Sequence, residues 1–220
     1  MKPRVSNQKA AALTLLEVLV VIVVLVVVLF TLAQFFLPNT HYARPKAPRI
    51  ECVNNLKQIG LSFRLWEGDN GDKYPMGVSV TNGGTMELAT GTNAWFSFLV
   101  LSNQLSTPKI LRCPSDTNSL FATNFKTGIN RRNISYFVGV DADESNPQML
   151  LAGDDNFEVG GAPVNSGLLI LVSNTPLAWS AARHHFAGNV GLADGSVQSL
   201  SNPGLTNLPT SLATNRLAIP

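Results

Sequence analysis

Residues 11–30 read AALTLLEVLVVIVVLVVVLF, and this stretch decides what kind of protein the chain is. The apolar run continues to Leu37, interrupted after Glu17 only by Thr31 and Gln34. About 20 helical residues span roughly 30 Å, the thickness of the hydrocarbon core of a bilayer. Val and Ile disfavour a helix in water, but in lipid the backbone can satisfy its hydrogen bonds only within a helix. The sequence therefore predicts a transmembrane helix over residues 13–37.

The charges around this run predict its orientation. Lys2, Arg4 and Lys9 all precede it, and these three charges exceed the net charge of +2 of the whole chain. Positive residues flanking a transmembrane helix favour the cytoplasmic side. We therefore expect a cytoplasmic N-terminus, and an oxidising compartment for the residues after about position 38. Because the rest of the chain is not basic, we expect no nucleic-acid partner.

Glu17 is the one acidic residue of the apolar run. An acidic residue at the centre of a transmembrane helix costs about 2.5–3.5 kcal/mol, whereas each Leu or Val favours insertion by about 0.3–0.6 kcal/mol. The run can therefore contain one carboxylate and still insert. The simplest interpretation is a glutamate at the membrane interface, at the end of the helix. This interpretation assigns no functional role to Glu17.

The six residues Ala12-Leu13-Thr14-Leu15-Leu16-Glu17 resemble the processing motif of prepilins. In that motif a small residue precedes an apolar one, and glutamate is the fifth residue of the mature chain. The resemblance implies that residues 1–12 are a leader and that a prepilin peptidase cuts between Ala12 and Leu13 and methylates Leu13. The new amine of Leu13 is cationic near neutral pH and lies one helical turn from Glu17. Because an unpaired charge is penalised in hydrocarbon, their pairing would favour assembly in one axial register.

A second processing route stays open. Thr31-Leu32-Ala33 is similar to a signal-peptidase site, and cleavage after Ala33 would release a soluble domain that begins at Gln34. The apolar stretch is longer than the usual core of a signal peptide, and this route does not explain Glu17. The mature N-terminus, Leu13 or Gln34, distinguishes the two routes.

The residues that follow the membrane segment predict a second helix. Pro38, Pro45 and Pro48 predict a break over residues 38–48. Apolar residues then recur every three or four positions, which predicts an amphipathic helix over residues 49–70 that packs on a sheet. The predicted buried face is Ile50, Val53, Leu56, Gly60, Phe63 and Trp66, and the predicted solvent face is Asn54, Lys57, Gln58 and Arg64. Gly68, Asn70 and Gly71 would end this helix.

The remaining residues, 71–220, have the pattern of short strands and turns. Apolar or alternating runs at residues 133–140, 147–153 and 167–173 predict strands. A hairpin is predicted over residues 189–200, with Asp194-Gly195 as a two-residue turn and Leu192 opposite Val197. The expected fold class is α+β, with a helix packed on an antiparallel sheet. Residues 95–101 could form a further helix, and the tail after Leu200 is expected to be irregular.

Four motifs in this part of the chain extend the resemblance. They are NNLKQIGLSFRLW, DNGDKYP, CPSD at residues 113–116, and His184 separated by nine residues from Asp194-Gly195. In this order they are similar to a pseudopilin-like group that joins a prepilin-type segment to an H-X9-DG element. The resemblance implies a single-pass subunit of the bacterial inner membrane with a pilin-like periplasmic head. It also implies a type II secretion or type IV pilus-like system, with prepilin peptidase and other pilin or pseudopilin subunits as partners.

Two cysteines and two histidines are the obvious candidates for chemistry in the head. Cys52 and Cys113 form an even pair that could be a disulfide in an oxidising compartment, or could remain two free thiols. Adjacent side chains on a strand point to opposite faces, so His184 and His185 are not expected to bind one metal ion. Asp194 is explained by its turn. We therefore expect no metal, and a hydrogen bond from His184 that supports the hairpin.

An irregular calcium site is the one cofactor site that the sequence leaves open. Its candidate ligands are Asp141, Asp143, Asp154 and Asp155, although the Gly and Glu that an EF-hand loop requires are missing. The sequence has no G-x-S-x-G elbow, P-loop or CxxC motif, and we expect neither catalytic residues nor an enzyme. The leading prediction is a structural pilin-like subunit. The alternative is a membrane-anchored periplasmic binding domain. An exported enzyme is the least favoured of the three classes of function.

Overall fold

The structure, a computed structural model, describes residues 14–36, 47–89, 92–172, 175–206 and 215–220. The chain divides into two compact units, Met1–Arg44 and Pro45–Pro220. Ala12, Leu13, the leader and most of the predicted break at residues 38–48 lie outside the described residues. The predictions for these positions remain predictions.

The first unit contains one long helix, α1, at Leu15–Phe36. By length and composition its residues Leu15–Ala33 are apolar enough to cross a membrane, and none of this segment is buried within the protein. A helix that is apolar on all sides is typical of one surrounded by lipid or by other helices. The predicted apolar helix is therefore present.

The second unit begins with helix α2, Ala47–Asp69. Its buried apolar residues are Cys52, Leu56, Ile59, Phe63 and Trp66, spaced three or four apart. The prediction was wrong at Ile50, which is 59% exposed, because Cys52 starts the buried face instead. The predicted solvent face is exposed, and α2 ends before Gly71, whose φ of 70° does not continue a helix.

In the part of the chain that the structure describes, nine strands form two antiparallel sheets. The larger sheet has the order β5-β9-β1-β2-β7-β8, and the smaller has the order β4-β3-β6. The strands are β1 (Tyr136–Gly139), β2 (Leu150–Asp154), β3 (Phe157–Val159), β4 (Ala162–Pro163), β5 (Gly167–Leu171), β6 (Leu177–Trp179), β7 (Ala187–Leu192), β8 (Val197–Ser201) and β9 (Asn215–Ile219). Two short helices, α3 (Trp95–Leu99) and α4 (Asn202–Thr206), complete the described regular structure with several 3-10 turns. The predicted α+β class with antiparallel sheets is confirmed.

The strands β1, β2 and β7 of the larger sheet are buried on both faces. Helix α2 packs against β7, β2 and β8, and residues such as Tyr136 and Val138 belong to the core on that side. Phe137 lies between them in β1 and points to the second core, where Phe157 and Trp179 stack with their ring centroids 4.6 Å apart. A Cβ atom at residue 188 would lie 2.5 Å from the Trp179 ring, so this contact requires Gly188.

The hairpin between β7 and β8 differs from the prediction by one residue in register. Val197 lies opposite Gly191 and not opposite Leu192. Gly195, with a φ of 83°, is the turn residue in the left-handed region, and its N–H donates to the Leu192 carbonyl at 2.9 Å. The loop is therefore a three-residue turn with a bulge, whereas the predicted type I′ turn requires positive φ at both Asp194 and Gly195.

The irregular tail predicted after Leu200 was also wrong. β8 continues to Ser201, α4 follows it, and β9 lies inside the larger sheet, where it pairs with β5 on one side and β1 on the other. Residues 133–140 and 167–173 each contain a strand, as predicted, and the range 147–153 overlaps β2, which ends one residue later at Asp154. The short strands β3, β4 and β6 were not predicted.

Candidate functional site

Glu17 forms a capping box with Thr14 at the start of α1. The Thr14 N–H and hydroxyl donate to Glu17 Oε2 at 2.9 and 3.0 Å, and the Glu17 N–H donates to Thr14 Oγ1 at 3.3 Å. These contacts satisfy backbone donors that a helix start leaves without partners. The signal, Thr-x-x-Glu before an apolar run, was present in the sequence and was missed. The predicted partner of Glu17, the amine of Leu13, lies outside the described residues.

Two contacts fix helix α2 within the second unit, Pro45–Pro220, which we call the head. Cys52 in α2 and Cys113 form a disulfide, with Cα atoms 5.4 Å apart across a separation of 61 residues. The Asn55 side chain donates to the Arg112 carbonyl at 3.3 Å. These two contacts join the part of α2 where the NNLKQIG motif begins to the start of the CPSD motif, just after the 3-10 helix Pro108–Leu111.

The Asp194-Gly195 turn is also held against α2. Arg64 Nη1 donates to the Asp194 carbonyl at 2.8 Å, and the buried Tyr74 hydroxyl donates to the Ala193 carbonyl at 2.7 Å. The Asp194 carboxylate accepts from the Ser196 N–H at 2.8 Å, within the turn itself. Asp194 therefore shapes the turn, and Tyr74 brings the DNGDKYP motif to it.

His184 points into the protein interior. His184, His185 and Phe186 have φ values of 50°, 52° and 58°, a left-handed run that non-glycine residues rarely adopt. The His184 side chain is 1% exposed, and its Nε2 atom lies 3.3 Å from Cys113 Sγ and 3.6 Å from Asp154 Oδ2. His185 is exposed. The two histidines diverge as expected, but they precede β7 instead of lying on a strand, and the contacts of His184 are with Cys113, Ser115 and Asp154 instead of the hairpin.

Burial controls the protonation of this cluster. Burial, followed by the nearby charges of Arg49, Arg183 and His185, lowers the pKa of His184 to about 4. Burial also raises the pKa of Asp154 to about 7, although Arg183 and two hydrogen bonds from Asn189, each 2.8 Å long, oppose this shift. Near neutral pH the imidazole is therefore neutral, and its 3.6 Å contact with Asp154 is not an ion pair.

Arg183 forms a buried ion-pair network beside this cluster. Its Nη2 atom lies 2.9 Å from Asp116 Oδ2 and 2.5 Å from Asp155 Oδ1, and its Nη1 atom donates to the Ser135 carbonyl at 2.9 Å. A cavity of about 300 Å³ opens next to these residues. The charged groups that line the cavity are already paired with one another, so they form a structural network.

The four predicted calcium ligands are not gathered at one place in the described residues. Asp141 pairs with Arg216, Asp143 accepts from the Ser145 N–H at 2.8 Å, Asp154 accepts from Asn189, and Asp155 pairs with Arg183. The described residues instead bring together a different set of possible ligands. The nearest donor atoms of Cys52, Cys113, Asp154 and His184 all lie within 4.8 Å of one another. The sequence contains these residues, but their convergence depends on tertiary packing.

Comparisons with known proteins do not assign the chain to a family. No protein-family model, no curated protein and no solved structure matches the chain.

Proposed function

We propose that the chain is a structural pilin-like or pseudopilin subunit of a type II secretion or type IV pilus-like system. A prepilin peptidase processes it between Ala12 and Leu13, and α1 anchors it in the bacterial inner membrane and assembles with the α1 helices of other subunits. The observation that carries the proposal is α1 itself, a helix of 22 residues with an apolar surface on every side and one acid in its first turn.

Glu17 favours assembly over simple anchoring. The capping box with Thr14 explains how the carboxylate is oriented, but it does not neutralise the charge. A charge of this kind in or near hydrocarbon is stabilised by an opposite charge. The cationic amine that cleavage creates on Leu13 supplies one, either in the same subunit or in a neighbour. The capping box then holds the carboxylate in position for this pairing.

The solvent face of α2 offers a second surface for subunit contacts. Ile50, Leu61 and Leu65 are 59%, 58% and 52% exposed. At about 100° per residue these positions lie within a sector of about 60° on the helix. Three large apolar side chains in a line are consistent with a surface that a neighbouring subunit covers.

The direct test is the N-terminus of the protein purified from its native membrane. We expect a chain that begins with an N-methylated Leu13, identified by N-terminal sequencing and mass spectrometry. A chain that still begins with Met1, or one that begins with Gln34, would contradict the proposal. A chain that begins with Met1 and is monomeric in detergent would favour the membrane-anchored binding domain, whereas a chain that begins with Gln34 would be a domain released from the membrane.

The Glu17→Gln variant separates the charge of Glu17 from its capping role. The amide oxygen of glutamine can still accept the hydrogen bonds of a capping box. We expect normal membrane insertion but an assembly yield lower by about tenfold, as a loss of about 1.4 kcal/mol per contact would give. Photo-crosslinking in membranes followed by gel analysis measures this yield.

Two control variants make this test specific. Thr14→Val removes the capping hydroxyl but keeps the charge, and Glu51→Gln removes an exposed acid of α2. Both are expected to assemble nearly as well as the unmodified chain. If Glu17→Gln assembles normally while Thr14→Val does not, Glu17 acts only as a helix cap and the charge-pairing mechanism is wrong.

A further inference from the structure

Four side chains with metal-binding atoms meet in the interior of the head. Cys52 comes from α2, Cys113 follows the 3-10 helix Pro108–Leu111, Asp154 ends β2, and His184 precedes β7. Their donor atoms all lie within 4.8 Å of one another. Cys52, Cys113 and Asp154 are fully buried, and the side chain of His184 is 1% exposed. Distant parts of the chain thus converge on one site that is closed to solvent.

The distances in this site are close to those of a tetrahedral zinc site. Zinc bonds of about 2.0–2.3 Å place neighbouring ligand atoms about 3.3–3.8 Å apart in a tetrahedron. His184 Nε2 is already 3.3 Å from Cys113 Sγ and 3.6 Å from Asp154 Oδ2. The two sulfur atoms are bonded in the disulfide, but the Cα atoms of Cys52 and Cys113 lie 5.4 Å apart. Breaking the bond would let the sulfur atoms separate to the spacing of zinc ligands by side-chain rotation.

The surrounding residues orient the ligand atoms. Ser115 Oγ lies 3.4 Å from His184 Nδ1, so a hydrogen bond from that nitrogen leaves the Nε2 lone pair directed at the cluster. The backbone and side-chain nitrogens of Asn189 hold Asp154 Oδ2 at 2.8 Å. Among the described residues Asp154 Oδ1 has no hydrogen-bond partner, although the carboxyl group is fully buried. A buried carboxylate oxygen without a donor is uncommon in proteins, so Asp154 keeps one oxygen that could still accept a bond.

We propose that Cys52, Cys113, His184 and Asp154 bind one Zn²⁺ ion when the disulfide is reduced. Two thiolates, an imidazole and a carboxylate are a ligand set that suits zinc, whereas calcium and magnesium prefer all-oxygen sites. Reduction of the disulfide by a dithiol or phosphine reductant supplies two electrons, and each sulfur atom takes up one proton. Zinc then displaces these two protons and binds both thiolates.

The charges around the site are compatible with this ligand set. Zn²⁺ with two thiolates, one carboxylate and a neutral imidazole carries one net negative charge. Arg49 acts electrostatically on His184, so its positive charge would partly offset that negative charge, whereas Arg183 is already paired with Asp116 and Asp155. The zinc ion would link α2 to the same segment as the disulfide does. The head would therefore have two interchangeable cross-links, one oxidised and one reduced.

The first test measures metal binding by the full-length chain in detergent. After reduction with a phosphine we expect one zinc ion per chain, measured by atomic spectroscopy, and no zinc on the oxidised chain. Cobalt in place of zinc should give tetrahedral d–d bands and a thiolate-to-cobalt charge-transfer band. A reduced chain without bound zinc, or a cobalt spectrum without the thiolate band, would overturn the proposal.

A pair of histidine variants tests the site without touching the cysteines. His184→Ala should weaken zinc binding by the reduced chain by at least about tenfold. His185→Ala, which changes the exposed neighbour, should leave the affinity unchanged. Circular dichroism of the oxidised variants, in which the disulfide remains, shows whether each one folds. Equal zinc affinities for a folded His184→Ala variant and the unmodified chain would overturn the assignment of His184 as a ligand.

Discussion

At the scale of single residues, Glu67 is the acidic side chain of α2 that is buried. It is 3% exposed, and its Oε1 atom has no hydrogen-bond partner among the described residues. Burial, together with the neighbouring carboxylate of Glu144, raises the pKa of Glu67 to about 7, although Tyr74 and Arg64 oppose the shift. Glu67 therefore keeps its proton in the folded head at mildly acidic pH, where an unfolded glutamate is ionised.

This shift predicts how the stability of the head depends on pH. Because the pKa of Glu67 is higher in the folded state than its ordinary value of 4.5, the folded state binds more protons between pH 4.5 and about 7. The contribution of Glu67 to stability is therefore present below this window and is lost as the pH rises through it. Glu67→Gln, which mimics the protonated acid, should raise the free energy of unfolding at about pH 8 by on the order of 1–2 kcal/mol.

Urea unfolding of the full-length chain at several pH values measures this effect. The difference between Glu67→Gln and the unmodified chain should nearly disappear at about pH 4. Glu51→Gln, an exposed substitution in the same helix, should show no such difference at either pH. A constant difference across the whole range would show that Glu67 acts through packing and not through its proton.

At the scale of secondary structure elements, β9 holds the larger sheet together. It pairs with β5 over five residues and with β1 on its other edge. Its Leu217 side chain is fully buried in the core between the two sheets. The strand thus joins β5 to the rest of the sheet.

Leu217→Ala should therefore destabilise the head strongly. Removing this buried side chain leaves a cavity, and such changes cost about 2–5 kcal/mol. Leu120→Ala is a matched control, because Leu120 is 55% exposed and its loss should cost less than about 0.5 kcal/mol. Chemical unfolding of both variants gives the two values. Similar values would mean that β9 does not contribute to the sheet as described.

Whether the sequence predicts an element correctly depends on the length of the element and on the backbone conformation of the turn beside it. The apolar runs at β1, β2 and β5 were recognised because each has several apolar residues in succession. The strands β3, β4 and β6 have two or three residues each, too few for a period of two to be detected. The β7–β8 register was wrong by one residue, because the loop length depends on whether Asp194 adopts a positive φ.

The residues of the inner cluster were predictable one by one but not as a group. Cys52, Cys113 and His184 were all singled out from the sequence, and Asp154 was considered only for calcium. Their meeting depends on how α2 lies on the sheet and on the left-handed run at residues 184–186. The spacing of residues in the sequence predicts neither the packing of α2 nor this left-handed run, because contacts between distant parts of the chain determine both.

At the scale of the whole molecule, the apolar α1 should determine where the protein partitions. Alkaline extraction of membranes should leave the full-length chain in the pellet, because burying the large apolar side chains of α1 in lipid is strongly favourable. A variant that lacks residues 1–36 should be recovered in the aqueous fraction. Immunoblotting of both fractions measures this partition. A full-length chain in the aqueous fraction would contradict the membrane assignment.

The position of β9 also sets an order of events during biosynthesis. A ribosome makes α1 first and residues 215–219 only after all the other described strands, yet β5 pairs with β9 alone among those strands. The sheet therefore stays incomplete until translation has passed residue 219. By then α1 has long since left the exit tunnel, so its apolar surface needs burial before the sheet can be completed.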